Sequence, residues 1–363
     1  MRILALALLI GCSDSPHTPD GGAGGADAAA CEQQAALEQA MRDALDAAAT
    51  DPAITTVPDF TVLLETNAGR SFAHSHGAST ATTVYESAST SKWVTAAVIL
   101  DAVDRGMLAL DTKANDLLPY WAETTVTLRD LLSFTSGFHD EPLCINAPNA
   151  SFATCVEAIY TRNASNGIAA GSQFYYSSTH MQVAGQMTIT ASQAASWTAV
   201  FDAFKARTGL FGSAAYDLPS ATNPRLAGGM HWTATDYQAF LRALVAGDVL
   251  SSASRAQLFA NQRGAATVAY SPSLAATSIG EDWSYGLGNW LECPDAKTAN
   301  SYDCGEGHRN SSAGAYGAYP FIDFDHRYFG IVARQGGLGT FPEGLRLFRS
   351  IEPLAVQWAA ACP

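Results

Sequence analysis

Apolar positions along the chain change period several times. From Cys31 to Ala49, Ala and Leu recur among Gln, Glu and Asp at helical spacing, which predicts an amphipathic helix. Thr61-Val62-Leu63-Leu64-Glu65 and Arg70-Ser71-Phe72-Ala73-His74 read as two strands, with Asn67-Ala68-Gly69 as the turn between them. Trp93-Val94-Thr95-Ala96-Ala97-Val98-Ile99-Leu100 is apolar on nearly every face, so a helix there is buried. It stops at Asp104-Arg105-Gly106, where glycine suits a helix end. Residues 107 to 275 read mostly as helix and loop. A short helix and turn falls over Thr127 to Gly137, and another helix at Thr235 to Ala246 follows Gly228-Gly229-Met230. Strands return at Tyr285 to Cys293, Tyr316 to Asp323 and Tyr328 to Arg334, with His326 in the last turn. Phe341 to Ala361 reads as a closing helix. Strands at both ends with helices between them predict an α+β chain, and short turns between the late strands predict antiparallel pairing. The expected organisation is a sheet domain from residues 31–106 and 283–363, with a mostly helical domain over 107–282.

Composition narrows the class. The 363 residues, 48% of them hydrophobic, suffice for a large core. A formal net charge of -14 with no basic run argues against nucleic acid, whose phosphates demand clustered Lys and Arg. The amino terminus stands apart. Met1-Arg2 precedes the apolar run Ile3 to Ile10 and then Gly11-Cys12, the layout of an export signal over residues 1–11. Leu9-Ile10-Gly11-Cys12 resembles a bacterial lipobox, which implies cleavage before Cys12 and lipid on that cysteine. Residues 12–30, rich in Gly, Ser, Pro and Asp, read as a flexible tether. The expectation is an exported cell-envelope lipoprotein, periplasmic or on the outer surface, attached to a membrane by its lipid. Seven cysteines fit this. With Cys12 set aside, six remain, and short separations suggest Cys144–Cys155 and Cys293–Cys304. No C-x-x-C occurs, and His74 with His76 reads as a surface pair without a third ligand, so no metal and no cofactor are expected.

The chemistry concentrates at Ser89-Thr90-Ser91-Lys92, which opens the buried helix. Residues three apart share a helix face, so the Lys92 amine can approach the Ser89 hydroxyl. A serine needs such a base to become a nucleophile. A lysine in this apolar setting is costly unless it is paired or functional. The pattern resembles the S-x-x-K of the serine β-lactamase and penicillin-binding protein-like superfamily, with its class C-like, esterase and D-aminopeptidase relatives. The resemblance extends over roughly residues 35 to 360. Its most specific piece is Leu128-Arg129-Asp130-Leu131-Leu132-Ser133-Phe134-Thr135-Ser136-Gly137. Gly106 to Asp111 and Ala227-Gly228-Gly229-Met230 match further recurrent turns.

The resemblance implies a β-lactamase/transpeptidase-like fold, an antiparallel sheet flanked by the amino- and carboxy-terminal helices. Those helices lie side by side in such proteins, which implies a Cys31–Cys362 pair. The second motif, Y-x-N, falls on Tyr176-Ser177-Ser178, with Ser178 in place of asparagine. Tyr176 beside a lysine is expected to be held partly as phenolate and to shuttle the Ser89 proton. The third motif matches Ser312-Ala313-Gly314, and a second register on His308-Arg309-Asn310 is also available. The N–H groups of Ser89 and Ala315 are then the expected oxyanion hole, with Ser178, Ser312 and Gly314 at the substrate. Neither register supplies the lysine that holds a substrate carboxylate, although Arg309 can compensate. The expected function is an exported serine hydrolase of esters or amides acting on a small or peptide-like acyl substrate. A β-lactamase, a D-alanyl-D-alanine carboxypeptidase and a non-catalytic penicillin-binding-like module are the alternatives. His139-Asp140-Glu141 is placed at the cleft edge, and specificity is assigned to residues 138–155 and 265–282.

Overall fold

The computed structural model describes residues 23–306 and 308–361, with side chains from Gln33. Seven strands form its main sheet. They are β1 (Phe60–Thr66), β2 (Ser71–His76), β3 (Ser284–Tyr285), β4 (Trp290–Leu291), β5 (Arg309–Ser311), β6 (Tyr319–Asp323) and β7 (Tyr328–Arg334). Their order is β2-β1-β7-β6-β5-β4-β3, antiparallel throughout the assigned pairings. Early and late segments of the sequence thus pair inside the sheet, where β7 is buried along its whole length.

Helices cover both faces. Leu64 and Phe72 are cross-strand partners on one face, and Phe72 meets Trp358 of the closing helix Phe341–Ala360. The first helix, Ala23–Ala49, lies against that closing helix, and Trp358 Nε1 donates to Glu38 across the contact at 3.1 Å. Glu65, one residue on from Leu64, points to the opposite face and pairs with Arg242 of the helix Ala234–Ala246. This sandwich of terminal helices, antiparallel sheet and inner helices is the expected β-lactamase/transpeptidase-like α+β fold.

The segments differ from expectation where turn residues were overlooked. The first helix starts at Ala23, inside the stretch read as tether, because Ala-rich sequence extends a helix once it is nucleated. Tyr285 to Cys293 is not one strand but the β3–β4 hairpin, reversed at Gly286–Asn289 with Gly288 at φ +73°. β6 begins at Tyr319, because Gly314 to Ala318 closes a turn through Gly317 N–H to Gly314 O at 2.8 Å. Residues 107–282 hold the expected helices but also short strands. Met230–Thr233 pairs with Val84–Glu86, just before Ser89, and Gln173–Tyr175 pairs in parallel with Thr267–Tyr270.

Disulfides join Cys144 to Cys155 and Cys293 to Cys304. Cys12 and the side chains of Cys31 and Cys362 lie outside the described residues, as does the predicted signal at residues 1–11. Among the described residues no helix is long and apolar enough to cross a membrane.

Candidate active site

The helix that carries Lys92 runs from Ser91 to Asp104 and is buried over residues 91–102. Ser89 sits just before it, in a single 3-10 turn over Ala88–Thr90. Ala88 has φ +43°, a left-handed conformation that costs a non-glycine residue about 1–3 kcal/mol unless its surroundings enforce it. They do so here. Ser87 is tied to the Met230 strand through both its backbone and its side chain: its N–H donates to Met230 O at 2.8 Å, and the Met230 N–H donates to Ser87 Oγ at 3.2 Å. The Ser87 and Ser91 hydroxyls bond across the turn. Trp232 Nε1 donates to Thr90 Oγ1, and the Tyr237 hydroxyl to Thr90 O, both at 2.9 Å.

Lys92 is 3% exposed. Its Nζ donates to Ser89 Oγ at 3.0 Å and to Ala227 O at 2.8 Å, so the Ala227-Gly228-Gly229-Met230 turn holds the amine on the serine. Burial pulls the Lys92 pKa down to about 7. Glu141 opposes that pull and Arg225 adds to it. The amine is therefore available as a base near neutrality.

Tyr176 completes the group. Its ring lies 4.6 Å from Lys92 Nζ, and its hydroxyl hydrogen-bonds the Ser89 side chain. Burial drives its pKa well above the ordinary phenol value, and the Ser89 hydrogen bond only partly offsets this. The expected phenolate is thus corrected: the tyrosine keeps its proton and the lysine is the group poised to be neutral. The tyrosine stacks on Trp290 at 4.9 Å and meets Tyr285 edge-on at 6.0 Å.

Beneath this layer His180 is buried against Phe134, 4.7 Å ring to ring. Burial pulls its pKa down to about 3, so it is neutral. Its Nε2 faces Tyr175 O at 2.9 Å and must donate there, because a carbonyl only accepts. Nδ1 then accepts from the Ser136 hydroxyl at 2.8 Å. This brace under Tyr176 joins the Leu128–Gly137 element to the second motif. Sequence reading missed it, because 44 positions separate its partners.

The third motif falls in the Ser312 register. Ser312 to Gly314 continue β5, with Ser312 N–H on Pro320 O at 3.1 Å and Gly314 N–H on Ala318 O at 2.8 Å. Ser312 Oγ donates to Ser89 O at 3.1 Å. Glycine is required at 314, since a Cβ there would lie 2.8 Å from Ser87 O and 3.1 Å from Thr90 Cγ2. Neither the Ser89 nor the Ala315 N–H is engaged in a turn or ladder hydrogen bond among the described residues. The His308 register is corrected. His308 pairs with Asp325 at 2.7 Å, and Arg309 with Asp323 and Glu352 at 2.6 and 2.5 Å, at the other end of β5. Arg309 therefore does not stand in for the missing lysine.

Ser89, Lys92, Tyr176, Ser178, Ala313 and Ala315 line one cleft of about 480 Å³. Tyr270, Trp283, Trp290, Leu338 and Phe341 make its apolar wall, and Glu141 joins the polar side. Both loops assigned to specificity contribute: residues 138–155 through Glu141, and 265–282 through Tyr270 and Pro272. His74 is bonded to Asp46 and His76 to Pro58 O, on the far edge strand of the sheet. The one described cluster spaced for a metal ion is Cys293, Asp303 and Cys304, whose sulfurs are spent in a disulfide.

Sandwich and cleft together define a serine–lysine–tyrosine site on the penicillin-recognising fold. The Beta-lactamase family model matches residues 53–343, and the chain belongs to that family. A putative beta-lactamase from Bacteroides dorei DSM 17855 shares 26% identity, with 83% of this chain and 94% of that one covered at a TM-score of 0.67. EstCE1, a hydrolase with promiscuous acyltransferase activity, is similar in fold at 17% identity, 89% and 99% coverage and a TM-score of 0.66. So is a mutant of simvastatin synthase from Aspergillus terreus, at 17% identity, 94% and 99% coverage and a TM-score of 0.65. No curated protein matches the sequence.

Proposed function

We propose that the protein is a serine hydrolase of esters or amides that works through an acyl-enzyme on Ser89. The observation that carries this is the Lys92 amine, 3.0 Å from Ser89 Oγ and held at a pKa of about 7. The neutral amine takes the Ser89 proton as Oγ attacks the substrate carbonyl. The carbonyl oxygen, now negative, is received by the N–H groups of Ser89 and Ala315. Tyr176, protonated and bonded to Ser89, passes a proton to the leaving group and is resupplied by the Lys92 ammonium. A water molecule attacks the acyl carbon by the same route in reverse, which frees the acid and restores Ser89.

The cleft favours an esterase or amidase over a β-lactamase. Lys92 is the sole Lys or Arg among the residues that line it, and that lysine is committed to the serine. A β-lactam carboxylate has no fixed cation to meet there. We also propose export with a lipid on Cys12. The two disulfides support this, since they persist in oxidising compartments. Incorporation of labelled palmitate by the wild-type chain and not by Cys12→Ala is the expected result; equal labelling excludes that anchor.

Hydrolysis of p-nitrophenyl butyrate tests the enzyme reading. Turnover that falls at least ~10³-fold in Ser89→Ala is expected, as for loss of a nucleophile. Equal rates in the two proteins contradict it.

A further inference from the structure

Ser178 stands where the resembled motif carries an asparagine, and a different loop meets the space. The Glu141 carboxylate accepts the Ser178 backbone N–H and lines the cleft with Ser89, Lys92 and Tyr176. Its loop is held firmly. The Asn163 side chain accepts the His139 and Asp140 N–H groups at 3.0 and 2.9 Å and donates to Asp140 O at 3.0 Å. His139 stacks on Tyr175 at 4.0 Å, and Cys144–Cys155 ties the chain down three residues further on. These contacts fix the Glu141 backbone but leave its carboxylate facing the cleft. No Lys or Arg pairs with it among the described residues, whereas Asp140 next to it pairs outward with Arg162 at 3.0 Å.

Apart from tyrosines, the cleft therefore carries two ionisable side chains of fixed position, Lys92 and Glu141, and Lys92 is uncharged in the form that binds substrate and acts as base. What remains is a fixed carboxylate in a cleft also lined by the aromatic side chains of Tyr270, Trp283 and Trp290. A cation is attracted both by a carboxylate and by aromatic faces, and an anion is repelled by the first and finds no partner in the second.

We propose that Glu141 is the charge-selecting residue of this cleft, admitting acyl substrates that bear an ammonium group and turning away those that bear a carboxylate. The proposal rests on the serine-hydrolase reading of the same site. It also predicts a shift in pH dependence. Around Lys92, Glu141 favours the ammonium form and Arg225 disfavours it, while His180 and Tyr176 are both uncharged near neutrality. Loss of Glu141 thus moves the acid limb of activity to lower pH.

The test uses three p-nitrophenyl esters of similar length: hexanoate, 4-(trimethylammonio)butyrate and the glutarate monoester. Wild-type kcat/KM is expected to rank the cation at least about tenfold above hexanoate and the anion at least about tenfold below it. Glu141→Gln, whose amide oxygen can still accept the Ser178 N–H, should bring all three within about threefold of one another. Asp140→Asn, one residue away and outside the cleft, should keep the wild-type order. Calorimetric binding of the corresponding p-nitroanilides to Ser89→Ala reads the same order without turnover. An order that survives Glu141→Gln, or no order in the wild type, overturns the proposal and leaves the hydrolase reading standing if the esters are cleaved. Anilide binding that keeps the order and loses it in Glu141→Gln, with no ester cleaved, upholds charge selection and removes the hydrolase reading.

Discussion

Lys92 and Tyr176 divide the work of moving a proton, and burial decides which does what. Both are enclosed. Enclosure lowers the pKa of an amine and raises that of a phenol, because it disfavours the charged form of each. The lysine is thus the base and the tyrosine the donor. Activity should rise with pH through about 7 and fall about tenfold per unit below ~6, measured as kcat/KM for a neutral ester. Tyr176→Phe should lower kcat/KM by ~10²-fold or more while leaving that acid limb in place; a limb that disappears with the hydroxyl would assign the titration to the wrong group. The lysine also burdens the fold. Its folded pKa lies below the unfolded value, so between pH ~7 and ~10.5 the unfolded chain binds more protons and stability climbs with pH across that window. Lys92→Met, of similar length and uncharged, should raise the Tm at pH 6 by several degrees and by less at pH 10, measured calorimetrically. Ser89 and Lys92 were legible in the sequence because their spacing and apolar setting are local, and Tyr176 only through its resemblance to the family's second motif. Their protonation states were not, because these depend on burial and on Glu141, Arg225 and Tyr270, which the fold brings in from distant positions.

At the scale of elements, the site is the meeting of one strained turn with one strand. The turn at Ala88 is held by Met230, Trp232 and Tyr237, and the Ser312–Gly314 strand passes close enough to place Ala315 opposite Ser89 in the cleft. Gly314→Ala would set a Cβ 2.8 Å from Ser87 O and push the strand away from the turn. A loss of about 10²-fold in kcat, the scale of a lost oxyanion donor, is expected with secondary structure unchanged by circular dichroism. Activity within threefold of wild type would show that the close approach is dispensable. Long elements with strong periodicity were read from sequence nearly to the residue, β7 and the closing helix among them. Short ones were not. β3, β4 and β5 are two or three residues each, and a turn such as Gly286–Asn289 splits an apolar run without altering its composition. The Ser178 departure was visible as a missing amide. Glu141 was placed at the cleft edge and lines it, but that its carboxylate takes the Ser178 N–H was not legible, since the loop's path is set by Asn163 and a disulfide.

At the scale of the whole molecule, the sheet is closed by its own chain ends. Arg334 at the end of β7 is fully buried and donates to Glu343 of the closing helix at 2.6 Å and to Thr55 at 3.2 Å. Glu343 in turn accepts the Thr56 N–H at 3.0 Å. Burial alone would raise the Glu343 pKa, but Thr56, Arg334 and Thr55 outweigh it and hold the carboxyl below its ordinary value. Glu281, tied to Arg349, Trp283 and Lys297, is held low in the same way. Their contribution is complete above about pH 4.5 and is lost as pH falls through the depressed folded values. The carboxylate share of acid unfolding, followed by circular dichroism, should therefore lie below pH ~4.5, after buried neutral His180 has begun to cost stability below its ordinary value of 6.5. Arg334→Met leaves a buried carboxylate unpaired, so it should cost ~3–5 kcal/mol and move the acid transition upward; an unchanged transition would remove this network from the account of stability. The same closure brings Ser312 and Ala315, from the late strands, to Ser89, more than two hundred positions earlier in the sequence. The account turns on one covalent species. Mixing the protein with p-nitrophenyl butyrate, quenching in acid within milliseconds and mapping the mass gain by peptide analysis tests it directly. A butyryl adduct on Ser89, absent from Ser89→Ala and formed far more slowly in Lys92→Met, is the predicted result; release of nitrophenol with no adduct on Ser89, or an adduct on another residue, would contradict it.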